Sequence, residues 1–295
     1  MSTTGVQVDL RSARNRLRNA LPTVPGVDAL LHWLDGVPTG TVAQESAMHL
    51  SASVSANIQR ISLYAWAAAP ALVARTARFL AEAEVSETEM LRFAAAFGAL
   101  EPDRVGSWIE IGPLGIDGGW IMPGPIDLQQ AQTFLPPGSP RDNLLAWARR
   151  HDISNCLQLR RAVGEQAAYS EVLLPMPAGD PRHQMAMAMQ AIEAMGAEPI
   201  PLEIRQDMLR LNRGPVLLSA WLVPDGLAKV GVQLPGPAPE LQTLLLQAIA
   251  QPESDLDLFT AALGANGPDR IEIQELASGL DVELHFDLSD LAPTD

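Results

Sequence analysis

The stretch GPVLLSAWLVPDGLAKVGVQLPG, residues 214–236, decides how this chain is read. Pro224-Asp225-Gly226 is a turn signal between two β-rich arms. On the first arm Val216, Leu218, Ala220 and Leu222 alternate with Leu217, Ser219, Trp221 and Val223. On the second, Ala228, Val230, Val232 and Leu234 alternate with Lys229, Gly231 and Gln233. One face is aliphatic throughout. The other carries an indole, a hydroxyl, an amide and the only lysine among 295 residues.

Four more segments share this design: ASVSANIQRISLYAW (52–66), VGSWIEIGPLGIDGGWIM (105–122), ISNCLQLRRAVGEQAAYSEVLLPM (153–176) and DRIEIQELASGLDVELHFDL (269–288). Five hairpins imply about ten strands. Between them lie pairs of segments with helical period. PALVARTARFLAEAEV precedes SETEMLRFAAAFGAL, where Ser86 and Glu89 have capping-box spacing. IDLQQAQTFL precedes SPRDNLLAWARRH, DPRHQMAMAMQAIEAMGAE precedes PLEIRQDMLRLN, and PELQTLLLQAIAQ precedes DLDLFTAALG. The order of hairpin, helix, helix recurs without any repetition of letters.

Hairpin-linked strands make an antiparallel sheet, and ten of them close on themselves to remove exposed edges. The helix pairs then cover the outside. The expected class is therefore α+β: a ten-stranded antiparallel β-barrel from five hairpins, surrounded by helices, with residues 1–295 as one domain. Two open-sheet α+β domains are the alternative built from the same elements.

A formal net charge of −15 argues against a general nucleic-acid binder. No apolar run approaches the length of a membrane span. The N-terminus lacks the order of a secretory signal, and VDLRSARNRLRNAL reads as a surface helix, with targeting as the alternative. Cys156 is the single cysteine, which excludes an internal disulfide framework and cysteine-based zinc sites. A cytoplasmic location follows as the simplest expectation. His32, His49, His151 and His183 are scattered without metal-ligand spacing, so no metal-binding residues are assigned. Nucleotide P-loop and His-Glu-x-x-His patterns are absent from the chain.

The period of two projects a lumen. Arg60, Ser62, Tyr64 and Trp66 come from the first hairpin, and Trp108, Glu110 and Trp120 from the second. Gln158, Arg160, Tyr169 and Glu171 come from the third. Ser219, Trp221, Lys229 and Gln233 follow from the fourth, and Arg270, Glu272, Glu283 and His285 from the fifth. Guanidinium forks and an ammonium hold diphosphates through charge-assisted hydrogen bonds. Aromatic faces shelter a carbocation. A carboxylate takes up the proton released when a nucleophile is alkylated. The opposing reading is a solvated sheet face with cross-strand ion pairs, Arg270 with Glu272 and Glu283 among them.

The order of elements resembles the ABBA prenyltransferases, barrels of α-β-β-α units, and is most similar to their cyanobactin-type peptide prenyltransferases. LSASVSANIQRISLYAW (50–66) looks like that group's first hairpin, and the Leu159-Arg160 pair in CLQLRRAVGEQAAYSEVLL (156–174) looks like a later one. The family's catalytic glutamate on the first strand is replaced here by Ser51, and two tyrosines stand where the family has a ring of them. The resemblance implies transfer of an isoprenyl group, dimethylallyl in size, from its diphosphate to a side chain of a ribosomally made peptide natural product. A small aromatic acceptor is the first alternative; a non-catalytic binding or scaffold barrel is the second. Arg60, Arg160, Lys229 and Arg270 are the expected diphosphate ligands, with Mg²⁺ implied by the resemblance. Tyr64, Tyr169 and Trp221 would line the prenyl pocket. Glu110 and Glu171 are the candidate bases. No nucleic-acid or membrane partner is expected.

Overall fold

The computed structural model describes residues 47–55, 58–68, 73–82, 85–112, 115–163, 169–212, 214–236, 240–241, 269–276 and 279–287, with isolated positions 18, 28 and 32. The last expected helix pair and the start of the chain lie outside these residues. For 47–68 the description is of the backbone.

Five antiparallel hairpins are present: β1 (Ala47–Ser55) with β2 (Ile58–Ala68), β3 (Arg104–Gly112) with β4 (Gly115–Asp127), and β5 (Asn155–Ala162) with β6 (Ser170–Pro175). They continue with β7 (Leu217–Val223) and β8 (Gly226–Pro235), then β9 (Arg270–Leu276) and β10 (Gly279–Asp287). Each strand pairs with its sequence neighbours, and β1 pairs with β10 from His49↔Asp287 to Val54↔Val282. The sheet is one closed barrel, which removes the alternative of two open sheets.

Helices α1 (Val73–Glu82) and α2 (Glu87–Leu100) follow the first hairpin. The short α3 (Leu128–Ala131) and α4 (Ser139–Arg150) follow the second, and α5 (Pro181–Ala194) and α6 (Leu202–Leu211) the third. Their apolar faces meet the outward residues of the strands. Leu218, Ala220, Val230, Val232, Ile271, Ile273 and Leu284 share one buried cluster with Phe93, Leu144, Trp147, Met185, Ile192 and Met208. The main hydrophobic core therefore lies between barrel and helices. Each of its fully buried aliphatic side chains contributes roughly 1.5–3 kcal/mol.

Trp120 corrects the expected lumen list. It pairs with Ser107 and Arg161, positions of outward parity, and packs on Phe93 with ring centroids 6.0 Å apart. The run Gly115-Ile116-Asp117-Gly118-Gly119 has no alternation from which to count parity, so an indole suited to either face could not be assigned.

The hairpin at 214–236 turns at Pro224-Asp225, with Asp225 at φ 59. Trp221 then faces Lys229 while Leu222 faces Leu227, leaving Ala228 as an extra residue. This bulge keeps Lys229 on the lumen face. Gly231, also on that face, is required by close approach: a Cβ there would lie 2.0 Å from the Ile273 carbonyl oxygen.

One polar contact clamps helix to barrel. The outward guanidinium of Arg161 donates to both Glu89 oxygens, at 2.9 and 3.0 Å, and to Ser170 Oγ at 3.0 Å. Ser86 caps α2 by accepting from the Glu89 amide, whereas the Glu89 carboxylate turns to Arg161 and Arg92 instead of closing the capping box. A forked charge-assisted pair outweighs one neutral backbone donor. Burial raises the Glu89 pKa, but the hydrogen bond and charge of Arg161 outweigh it and hold the carboxyl below its ordinary 4.5. Arg161→Ala should lower unfolding free energy by about 1–3 kcal/mol at pH 7 in urea melts, since it removes the forked charge-assisted pair and leaves Arg92 as the partner of Glu89. A depressed carboxylate stabilises above its unfolded pKa, so the difference should shrink as pH falls below 4.5.

Candidate functional site

Closure brings alternate residues of all ten strands to one lumen. At its centre lies a stack of alternating aromatic and cationic groups. The Arg160 guanidinium carbon sits 4.9 Å from the Trp108 ring centroid and 4.0 Å from that of Trp221. The Lys229 ammonium is 3.7 Å from the Trp221 centroid. Tyr169 closes on Trp221 at 5.1 Å and on Trp108 at 6.2 Å. Both cations are at most 4 % exposed. Desolvation makes such cation–π contacts worth about 2 kcal/mol each.

The register creates this stack. Arg160 faces Glu171, Glu171 faces Trp221, and Trp221 faces Lys229 on four successive strands. Arg160 Nε is 2.7 Å from Glu171 Oε2, and Gln158 donates to the same oxygen at 3.2 Å. Trp221 Nε1 donates to Ser219 Oγ at 3.0 Å, and Ser219 donates to Glu171 Oε1 at 3.1 Å. Arg160, Glu171, Ser219 and Trp221 thus form a closed ring of contacts.

The charges in that ring are unequal. Burial opposes the Arg160 charge, but Glu171, Glu283 and Glu110 overcome this and raise its pKa, so it stays cationic. Glu171 is also fully buried and feels Glu272 and Glu283. Burial and those like charges outweigh Arg160 and Lys229 and push its carboxyl above 4.5. Glu171 therefore holds a proton more readily than an ordinary carboxylate.

A second cluster adjoins the stack. Glu283 Oε2 lies 3.4 Å from Lys229 Nζ, and Glu272 faces both Glu283 and Gln233. Gln233 Nε2 donates to Glu272 Oε2 at 2.5 Å, and Gln233 Oε1 accepts from Arg270 at 3.1 Å. Gln274 donates to Glu272 and Glu283. His285 Nε2 is 3.4 Å from Glu272 Oε2, and the imidazole helps hold the Glu272 carboxyl below 4.5 against its burial.

Of the expected site residues, the structure brings Arg160, Lys229, Tyr169, Trp221 and Glu171 together. Glu110 is buried on the same face, opposite Asp117 and Ser62, and its charge reaches Arg160. Arg270 joins through Gln233. Arg60 and Tyr64 occupy lumen-parity positions: Arg60 pairs with Ser53, which pairs with Glu283, and Tyr64 pairs with Trp108. Gln274 and Asp281, buried and paired in register, were not singled out, although counting by two from Glu272 and Glu283 reaches them. Burial pushes the Cys156 thiol up to about 12, which removes it as a nucleophile.

Mg²⁺, implied by the sequence resemblance, takes oxygen ligands in octahedral geometry. The one group of potential metal ligands gathered among the described residues is Glu272, Glu283 and His285. An imidazole among two carboxylates does not fit Mg²⁺.

Solved structures share the fold. A 6-dimethylallyltryptophan synthase from Micromonospora olivasterospora, crystallised with DMASPP and Trp, superposes with a TM-score of 0.71 over 97 % of this chain and 99 % of that one, at 10 % identity. The chain has the prenyltransferase-barrel fold. AnaPT from Neosartorya fischeri matches with a TM-score of 0.67 at 11 % identity, covering 100 % and 96 % of the two chains. A 5-dimethylallyltryptophan synthase from Streptomyces coelicolor matches at 0.64 and 11 % over 99 % and 100 %. By sequence, a PH domain-containing protein of Dictyostelium discoideum is 25 % identical over 285 residues, 92 % of this chain, which spans 62 % of that relative's length. No family model matches the chain.

Glu171→Gln checks the charge assignment. A carboxyl raised in the fold loses stability as pH climbs from 4.5 through its folded pKa, because the unfolded chain releases its proton first. The variant should lack that loss, read as a flatter melting-temperature profile from pH 4 upward than the wild type shows.

Proposed function

We propose that the protein transfers an isoprenyl group of dimethylallyl size from its diphosphate to an electron-rich aromatic ring. The observation that carries this reading is the pair of buried cations, Arg160 and Lys229, set against Trp108, Trp221 and Tyr169 in a prenyltransferase-type barrel. Support also comes from the tryptophan-modifying enzymes that share the fold. A side chain of a peptide is the acceptor class favoured by the sequence resemblance, tryptophan is the ring favoured by the enzymes that share the fold, and a free small aromatic is the alternative.

In this reading Arg160, Lys229, Arg60 and Arg270 hold the diphosphate. The allylic carbon–oxygen bond breaks, its electron pair leaves with the diphosphate, and Tyr169, Tyr64 and the lumen indoles shelter the allyl cation. Both faces of Trp221 meet cations, so it serves to space Arg160 and Lys229. The ring π electrons form the new carbon–carbon bond, and the ring proton passes to a carboxylate. Glu171 suits that role because burial raises its proton affinity. When Arg160 turns to the diphosphate, Glu171 loses its strongest partner and becomes more basic. No step is routed through Mg²⁺.

A second reading is a non-catalytic barrel. It is favoured by the ion pairs Arg160–Glu171 and Lys229–Glu283, which satisfy both cations without any ligand.

Calorimetric titration with dimethylallyl thiolodiphosphate separates the two. Saturable binding is expected, and Lys229→Ala should weaken it on the order of 10- to 100-fold while the fold persists, as loss of a charge-assisted contact requires. Incubation with dimethylallyl diphosphate and either tryptophan or a tryptophan-containing peptide should add one dimethylallyl group by mass. In Glu171→Gln, kcat should fall by roughly 10²- to 10⁴-fold with donor affinity retained. A folded wild type that binds no donor would establish the non-catalytic barrel.

A further inference from the structure

We propose that Glu272, Glu283 and His285 form a binding site for a divalent transition metal ion of the Zn²⁺, Co²⁺ or Mn²⁺ class, inside the barrel wall beside Lys229. This site is independent of prenyl transfer.

The three side chains come from two adjacent strands at fixed register. Glu272 on β9 stands directly opposite Glu283 on β10, and His285 lies two residues further along the same face. One donor atom from each lies within 4.8 Å of the others, and none of the three is more than 4 % exposed. His285 Nε2 is 3.4 Å from Glu272 Oε2 and 3.8 Å from Glu283 Oε1. The first is at the upper limit of a hydrogen bond and the second lies beyond it. They match the spacing of about 3.4 Å between two ligands that each stand roughly 2.1 Å from a tetrahedral ion.

A second observation points to a cation. Gln274 is fully buried, and its amide nitrogen donates to both carboxylates, which puts the amide head at the cluster. Its carbonyl oxygen Oε1 accepts no hydrogen bond. A buried acceptor left without a donor costs about 1–3 kcal/mol. Rotation of the amide by half a turn would exchange its two nearly isosteric ends and present Oε1 to an ion between the carboxylates as a fourth ligand.

Charge favours the same conclusion. Among the described residues, the lumen buries five carboxylates, those of Glu110, Glu171, Glu272, Asp281 and Glu283, against the two buried cations Arg160 and Lys229. A divalent ion would lower that imbalance where it is steepest, between Glu272 and Glu283. Mixed imidazole and carboxylate donors select a borderline transition metal over Mg²⁺ or Ca²⁺.

The test is a titration of the full-length, metal-stripped protein with Co²⁺ in the absence of isoprenyl diphosphate. One equivalent should bind and develop the intense visible d–d bands of a tetrahedral site, with a rise in melting temperature that Mg²⁺ does not reproduce. Glu272→Gln and His285→Gln should each weaken Co²⁺ binding by more than about tenfold, and Gln274→Leu by about 10- to 100-fold. His151→Gln, on the distant end of α4, should bind as the wild type does. Should the lumen variants fail to fold, the wild-type spectrum decides alone. Weak octahedral spectra, no stoichiometric binding, or folded variants that bind normally would each overturn the site. Because no donor is present, failure here leaves the reading of prenyl transfer to its own test.

Discussion

The pairing of β1 with β10 is the constraint on which the rest of the structure depends. Without it the sheet is a curled surface with one wet face, and every polar residue on that face is ordinary. With it the face becomes an interior. Charged side chains from strands far apart in sequence, such as Glu171 and Lys229, must then satisfy each other or a ligand. Desolvating a charge without a partner costs several kcal/mol, more than most single contacts return. Closure therefore converts a polar stripe into a network.

The inverted placement of the core follows from the same constraint. Helices pack against the outside of the barrel and carry the apolar burial, so stability rests on the outer cluster around Trp120, Phe93, Leu218 and Val232. The lumen is relieved of that duty. It can bury several carboxylates and cations because the fold's free energy comes from elsewhere. This separation explains how solved barrels at 10 to 12 % identity share one architecture, since an outer pattern of apolar character is preserved by many sequences.

Much of this was legible in the sequence because a period of two is a strong signal where both faces are chemically distinct. The hairpin at 214–236 gave both its faces correctly, and the bulge at Ala228 only moved Lys229 back into the phase already assigned to it. Arg161, next to the lumen residue Arg160, obeys the alternation as an outward group bound to Glu89. Trp120 failed because glycines carry no side chain from which to count. What no spacing could show is which lumen residues meet. Alternation put His285 on the lumen face with Glu272 and Glu283, but only register shows that it lies two residues from the position facing Glu272. Cross-strand proximity depends on hairpin register, and register depends on turns and bulges that the letters only hint at.

The lumen poses a competition that decides its chemistry. Arg160 and Lys229 have carboxylate partners, so any diphosphate held by them would have to displace Glu171 and Glu283. Displacement is favourable only if the diphosphate offers more charge per guanidinium than a glutamate does and if the released carboxylates gain new partners. Glu171 keeps Ser219 and Gln158 as donors and has a raised proton affinity, so it can answer the loss of Arg160 by taking a proton. Glu283 keeps Gln274 and has His285 within its reach, so it can turn from Lys229 toward the second cluster. Each cation thus has a carboxylate that can withdraw without being stranded. In a barrel whose cations served packing alone, such retreat positions would have no physical use, because a buried ion pair is most stable when neither partner has anywhere else to go.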